Sequence, residues 1–97
     1  MNKEKIKKYI IAECKNLLKF SPDILEIDVF VEDFNYGGRE TGLLVELYDK
    51  KRKRRICKNS ILHENDYKQY INGFLGQVLV YLHKKKLIYF TCELKRI

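Results

Sequence analysis

The clearest structural signal in this chain is the alternating stretch Leu25-Glu26-Ile27-Asp28-Val29-Phe30-Val31-Glu32. Successive side chains of a β-strand point to opposite faces, so the aliphatic residues would share one face, and the acids and Phe30 the other. A second alternating stretch begins at Leu43, and the turn-forming residues Asn35–Gly38 stand between the two. The two stretches are therefore predicted to form a β-hairpin with a loop of several residues.

A helix is predicted on each side of this hairpin. Residues 3–19 place apolar side chains on one stripe at helical spacing. Ser21 precedes Pro22 and is pushed out of the helical region, which ends this first helix. The second helix is predicted to start with a capping box formed by Asp66 and Gln69, and its apolar face continues as far as Leu82.

Two further strands complete the predicted fold. One is expected near residues 54–58, after a run of bases, and the alternating residues 88–95 predict another at the end of the chain. The order αββ(β)αβ predicts a single α+β domain over residues 1–97, with two helices packed on one face of a small mixed sheet of three or four strands. The other face of the sheet would then be open.

Charge is unevenly distributed along the 97 residues, whose net charge is +7. Residues 21–49 contain eight acids and one base, and six consecutive bases follow at once: Lys50, Lys51, Arg52, Lys53, Arg54 and Arg55. Six bases on a turn between strands would contact several phosphates without reading sequence. Three more lysines would extend that surface if the fold brings them to the same side: Lys84, Lys85 and Lys86. We expect these nine residues to bind nucleic acid or a ribonucleoprotein. In the alternative, the run is a solubilising loop that balances the acidic hairpin.

The open sheet face is the second candidate surface. It would expose aromatic and apolar side chains beside carboxylates, namely Phe30, Leu44, Glu46, Tyr48 and Tyr89. Aromatic residues on an open sheet are typical of RNA-binding sheets, but carboxylates repel phosphate. A protein partner or a second copy of the chain is therefore the expected occupant, with the acids and bases on separate patches. The alternative is a solvated face whose acids pair across strands with Arg54 or Arg55.

The motif Gly73-Phe74-Leu75-Gly76, within this element order, resembles the Gly-x-x-Gly loop of type II KH domains. The resemblance implies a loop between two helices that clamps a nucleic-acid backbone. Phe74 and Leu75, however, stand where loop positions are usually polar or basic. The apolar period also continues through the motif, as a single helix would require. Both interpretations remain open.

The element order is also similar to the core of restriction-endonuclease-like nucleases. Their chemistry needs an acid at the end of one strand and an acid-x-Lys on the next, to hold a metal. Asp49 could supply the first acid, but Ile56-Cys57-Lys58 has isoleucine where the second belongs. His63 and His83 have no cysteine or second histidine at ligand spacing. We expect no catalytic residue, no metal and no cofactor.

The three cysteines are too few and too dispersed for a disulfide framework. Cys14 and Cys92 fall on apolar faces and are predicted to lie in the core. Cys57 has Arg54, Arg55 and Lys58 nearby, which would lower its pKa if it were exposed.

Composition restricts the class of protein. With 34% charged and 45% apolar residues, the chain is neither a disordered nor a membrane-spanning sequence. The amino terminus lacks the apolar block of a signal peptide, so the cytoplasm is the expected compartment. The leading hypothesis is a small non-enzymatic binding module. The first alternative is an inhibitor or adaptor that docks on a nucleic-acid-processing enzyme, since the chain is similar in size and composition to phage and mobile-element proteins such as anti-CRISPRs. The second is a nuclease-like fold without a complete metal site.

Overall fold

A computed structural model describes residues 3–17, 25–36 and 40–87. The elements, in chain order, are α1 (Lys3–Leu17), β1 (Ile27–Tyr36), β2 (Glu40–Asp49), β3 (Arg54–Ile61), a 3₁₀ segment (Glu64–Tyr70) and α2 (Ile71–Lys84). The predicted α+β class and the order αβββα are confirmed. The predicted last strand, with Tyr89 and Cys92, lies outside the described residues.

The three described strands form one antiparallel sheet in the order β1-β2-β3. All described strand pairs are antiparallel, so the described sheet is not the mixed sheet that was predicted. The first hairpin is longer than predicted, because Asn35 and Tyr36, assigned to the turn, pair with Thr41 and Glu40 in the ladder. Tyrosine and threonine both favour strands, which accounts for the extension of the ladder at this end.

The third strand predicted near residues 54–58, after the run of bases, is confirmed and continues to Ile61. Only residues 50–53 form the turn, and β3 begins at Arg54, which pairs with Asp49. Tyr48 pairs with Arg55, whereas the adjacent Leu47 pairs with Cys57, so one extra residue forms a β-bulge. The bulge reverses the alternation of β3. Arg55 consequently lies with Tyr48 on the open face, while Cys57 is buried.

Both helices pack on one face of the sheet, as predicted. Helix α1 contacts mainly β1 and helix α2 contacts mainly β3, which are the two outer strands of the described sheet. The helices also contact each other. Each helix buries one stripe of side chains, and the sheet buries the inward residues of its strands. The core residues are Ile6, Ile10, Cys14, Leu25, Val29, Val31, Leu43, Val45, Leu47, Cys57, Ile61, Ile71, Phe74, Val78 and Leu82. The opposite sheet face carries no helix in the part of the chain that the structure describes.

The predicted capping box at Asp66 and Gln69 is wrong. These residues belong to the 3₁₀ segment, and α2 begins only at Ile71. Neither helical start has a side-chain cap. The 3₁₀ segment runs directly into α2, and the Ile71 amide donates to the Lys68 carbonyl. Because the preceding turn already accepts this amide, the junction does not need a capping side chain.

The Gly-x-x-Gly motif lies inside α2, so the loop implied by the KH resemblance is not present. Phe74 is 1% exposed and packs in the core. Gly73 and Gly76 are on the solvent side of the helix, and a Cβ added at either would meet nothing within 4 Å. The continuous apolar period through the motif was therefore the better guide to its structure.

Replacing Gly73 and Gly76 with alanine tests this helical assignment. Alanine has less backbone entropy to lose than glycine, and neither new methyl group meets a neighbour. Each substitution is expected to raise the free energy of unfolding by about 0.5–1 kcal/mol. Urea unfolding followed by circular dichroism measures the change. A loss of stability in both variants would contradict a continuous helix at this position.

Candidate nucleic-acid interface

Two basic segments that are far apart in the sequence meet at one end of the molecule. The Tyr81 hydroxyl in the last turns of α2 donates a 2.7 Å hydrogen bond to Asp49 Oδ2 at the end of β2. This bond brings the turn that follows β2 next to the lysines that follow α2. We call the surface formed by residues 50–54 and 84–86 the basic end.

Asp49 organises the turn of the basic end. Its side chain is completely buried, and it continues the inward alternation of Leu43, Val45 and Leu47. Oδ1 accepts the backbone amides of Lys51 and Arg52, at 3.1 and 3.3 Å. Oδ2 accepts Arg52 Nη1 at 2.9 Å in addition to the Tyr81 hydroxyl. A carboxylate that accepts amides two and three residues ahead is the standard means of closing such a turn.

The ionisation of Asp49 and Tyr81 reflects this arrangement. Burial alone would raise the pKa of the Asp49 carboxyl. The hydrogen bonds from Tyr81 and Arg52, and the charge of Arg52, outweigh burial and lower that pKa from its ordinary 3.8. The pKa of Tyr81 is raised to about 12, chiefly by burial and then by its bond to Asp49, with Arg52 and Arg54 opposing. Asp49 is thus a carboxylate and Tyr81 a neutral donor near neutral pH.

Two lysines of the basic end have left-handed backbone conformations. Lys53 has φ 55° and Lys86 has φ 57°, and the part of the chain that the structure describes has no other non-glycine residue with positive φ. Lys86 forms the end of α2 as a Schellman motif, in which the Leu87 amide donates to Leu82 and the Lys86 amide to His83. Glycine is the usual residue at such positions, because it has no Cβ to clash with the backbone.

The predicted separation of positive and negative side chains is only partly realised. In the described part of the chain, bases of the run 50–55 form ion pairs with hairpin carboxylates: Lys50 with Glu26 at 3.6 Å, Arg52 with Asp49 at 2.9 Å and Arg55 with Glu46 at 3.7 Å. The first and third pairs are between exposed or half-buried groups, where water screens the attraction. The pair at Arg55 agrees with the alternative prediction of cross-strand pairing on the open face.

The remaining predicted bases lie on the surface of the basic end. Residues 50–55 and 84–86 are all exposed. Lys85 Nζ lies 5.9 Å from the centre of the Tyr81 ring, and Arg54 is close enough to Tyr81 to lower its pKa. The structure therefore brings eight of the nine predicted bases to one end, and places Arg55 on the open sheet face instead.

The predicted protein-contact residues share the open face, apart from Tyr89, which lies outside the described residues. Phe30 is 46% exposed and meets the Tyr48 ring edge to face, with centroids 5.3 Å apart. Tyr48 donates a 2.7 Å hydrogen bond to Glu46, and Leu44 is half-buried beside them. The face carries both aromatic rings and carboxylates, as predicted.

The condition under which nearby bases would lower the pKa of Cys57 is not met, because the side chain is buried. Burial raises the pKa of its thiol to about 11, and the nearby Arg55 offsets only part of this effect. Cys14 is completely buried in the core, as predicted. No three histidine, cysteine, aspartate or glutamate side chains of the described segments are close enough together to hold a metal ion. None of the described helices is long and apolar enough to cross a membrane.

Tyr81 was not predicted as a functional residue, although two local signals in the sequence point to it. Asp49 has the same strand parity as the buried residues Leu43, Val45 and Leu47, and a buried carboxylate requires donors. Tyr81 follows Val78 by three residues and Phe74 by seven, so it lies beside the buried stripe of α2. A polar residue on each of two facing apolar surfaces indicates a buried polar contact.

Comparison of the chain with family models, with curated proteins and with solved structures found no match.

The Tyr81–Asp49 bond is tested by Tyr81→Phe, which removes a donor from a buried carboxylate. We expect the free energy of unfolding to fall by about 1.5–3 kcal/mol at pH 7. The pKa of Asp49 in the folded protein is below its ordinary value of 3.8. The ionised carboxyl therefore stabilises the fold fully above pH 3.8, and this stabilisation is lost as the pH falls through the pKa of the folded state. The difference in free energy of unfolding between the native protein and Tyr81→Phe should therefore become smaller below about pH 3.8.

Urea unfolding at neutral and acidic pH measures this difference. Tyr48→Phe is the matched control, because it also removes a hydroxyl that donates to a carboxylate at 2.7 Å. Tyr48 bonds to a carboxylate that is not fully buried, so its removal should cost much less. An equal decrease in the free energy of unfolding of Tyr81→Phe and Tyr48→Phe would contradict the structural role given to Asp49.

Proposed function

We propose that this protein is a small non-enzymatic binding module whose basic end contacts the phosphates of a nucleic acid, free or within a ribonucleoprotein. The observation that carries the proposal is the Tyr81–Asp49 hydrogen bond, which joins the turn at 50–53 to the end of α2. Separately, each segment is a short run of bases. Together they form a cationic surface large enough to meet several phosphates of one backbone.

The local charge of this surface supports a negatively charged partner. The basic end contains eight bases, and the carboxylates seen to pair with them in the described segments are Glu26 and Asp49. Asp49 is buried and cannot approach a partner, whereas the bases are exposed. Exposed ion pairs such as Lys50–Glu26 contribute little stability, so a phosphate can replace the carboxylate at small cost.

The backbone of Lys53 and Lys86 supports the same conclusion. A non-glycine residue in the left-handed region costs about 1 kcal/mol or more, and glycine would avoid that cost. Both positions carry a lysine at the same end of the molecule. Local strain of this kind is often found where a side chain is needed for function.

The type of contact follows from the residues. Lysine and arginine on a turn and at a helix end reach phosphate oxygens, and such contacts carry no base sequence information. We therefore expect binding that depends strongly on salt and weakly on sequence. Each lysine that loses its phosphate should remove about 0.9 units from the slope of log affinity against log salt on duplex DNA.

The variant Lys53→Gly/Lys86→Gly is the sharpest test, because it removes two charges and relieves the backbone at both positions. Its affinity for duplex DNA should fall, and its salt slope should decrease by about 1.8 units if both lysines contact phosphate. Fluorescence anisotropy with labelled duplex DNA and single-stranded RNA, between about 50 and 200 mM salt, measures both quantities. Urea unfolding should show that the variant is at least as stable as the native protein.

The matched control is Lys3→Gln/Lys8→Gln, which removes the same charge from α1. Lys3 pairs with Asp33, far along the sheet from Asp49. This control should bind nearly as tightly as the native protein. Arg52 is left intact throughout, since its loss would leave the buried Asp49 without its cation. An equal loss of nucleic-acid affinity in the two double variants would show that net charge, rather than the basic end, governs binding.

A further inference from the structure

The open sheet face contains a groove of about 450 Å³ whose acidic and aromatic side chains take no part in the proposed nucleic-acid contact. It is lined by Asp28 and Glu32 of β1, Glu46 of β2, and the rings of Phe30 and Tyr48, with Lys50 and Lys53 at its turn end. The groove exists because both helices pack on the other side of the sheet.

Strand register determines the arrangement of these side chains. Phe30 stands between Asp28 and Glu32 along β1 and directly opposite Glu46 on β2. Tyr48 lies opposite Asp28 and supports the Phe30 ring by its edge-to-face contact. The exposed ring is thus held in place by Tyr48 and has a carboxylate on each side along its strand.

The carboxylates of the groove differ in their partners. Glu46 accepts the Tyr48 hydroxyl and pairs with Arg55. Among the described residues, no hydrogen bond or ion pair is formed by the side-chain carboxylates of Asp28 and Glu32. These two groups, on either side of an exposed ring, are therefore available to a partner.

We propose that this groove docks a basic segment of a partner protein, with an arginine or lysine side chain over Phe30 and between Asp28 and Glu32. An aromatic face attracts a cation within about 6 Å, and flanking carboxylates strengthen that attraction. The alkyl stem of arginine or lysine covers the ring while its charged end remains near the carboxylates. An acidic groove repels a phosphate backbone, and two copies facing each other through this groove would oppose like charges.

Binding of a labelled peptide that alternates arginine with valine tests the proposal, with a glutamine-for-arginine peptide as the matched probe. Fluorescence anisotropy should show binding of the arginine peptide and much weaker binding of the glutamine peptide. Phe30→Ala should reduce affinity at least about tenfold, and Asp28→Asn/Glu32→Gln should abolish binding. All three positions are on the surface, so urea unfolding should show these variants to be folded.

The charge-matched control is Glu4→Gln/Glu13→Gln on α1, which should bind the arginine peptide like the native protein. Loss of binding in this control, or equal binding of the two peptides, would overturn the proposal by showing attraction to net charge or apolar surface alone. Concentration-dependent oligomers that Asp28→Asn/Glu32→Gln disperses in size-exclusion chromatography would overturn it in favour of a second copy. Loss of RNA binding in Phe30→Ala would overturn it in favour of nucleic acid.

One double variant distinguishes the two proposed surfaces, because it should change the affinities for nucleic acid and for the peptide differently. Lys53→Gly/Lys86→Gly is expected to weaken nucleic-acid binding. Because it removes a cation from the end of the groove, it should leave peptide binding unchanged or make it tighter. Failure of one proposal therefore leaves the other standing.

Discussion

A buried carboxylate at the end of β2 is the constraint on which the functional end of this protein depends. Asp49 has no contact with water, so its charge has to be met by donors from within the chain. Two amides and the guanidinium of the following turn provide some of these donors, and Tyr81 of α2 provides the other. One charge therefore shapes the turn and joins it to the end of a helix more than 30 residues away. The basic end exists because of this requirement.

The molecule presents surfaces of opposite character on a sheet of three described strands, and they meet along one boundary. Arg55 pairs with Glu46 on the open face, and Lys50 pairs with Glu26 beside the turn. Both pairs are accessible to solvent, so each is weak and can be exchanged for contacts with a partner. The β-bulge contributes to this boundary because it turns Arg55 toward the groove and Cys57 toward the core. Lys50 and Lys53 belong to both surfaces, because they lie at the turn end of the groove and within the basic end.

Stability and charge are in opposition at the basic end. Lys53 and Lys86 occupy backbone conformations in which glycine would be less strained. Within α2, the reverse holds: two exposed glycines occupy helical positions where alanine would be more stable. The core, by contrast, is regular. Among the described residues, fifteen buried apolar side chains from both helices, the three strands and Leu25 just before β1 form one cluster, and none of the proposed contact residues belongs to it. Substitutions on either surface therefore test binding with little effect on the fold.

Local periodicity was enough to predict the class of fold, the first hairpin and the faces of both helices, since side chains two residues apart in a strand, or three to four apart in a helix, share a face. It also predicted that Phe30, Glu46 and Tyr48 share the open face, whereas the predicted position of Tyr89 lies outside the described residues. It did not predict the extra residue in β3, the 3₁₀ entry to α2, or the ion pairs of Lys50 and Arg52. Strand parity and helical spacing mark Asp49 and Tyr81 as polar residues beside the core, but they do not show that the two side chains contact each other. These features depend on distances between segments remote in the chain, and those distances are established only when the helices pack on the sheet.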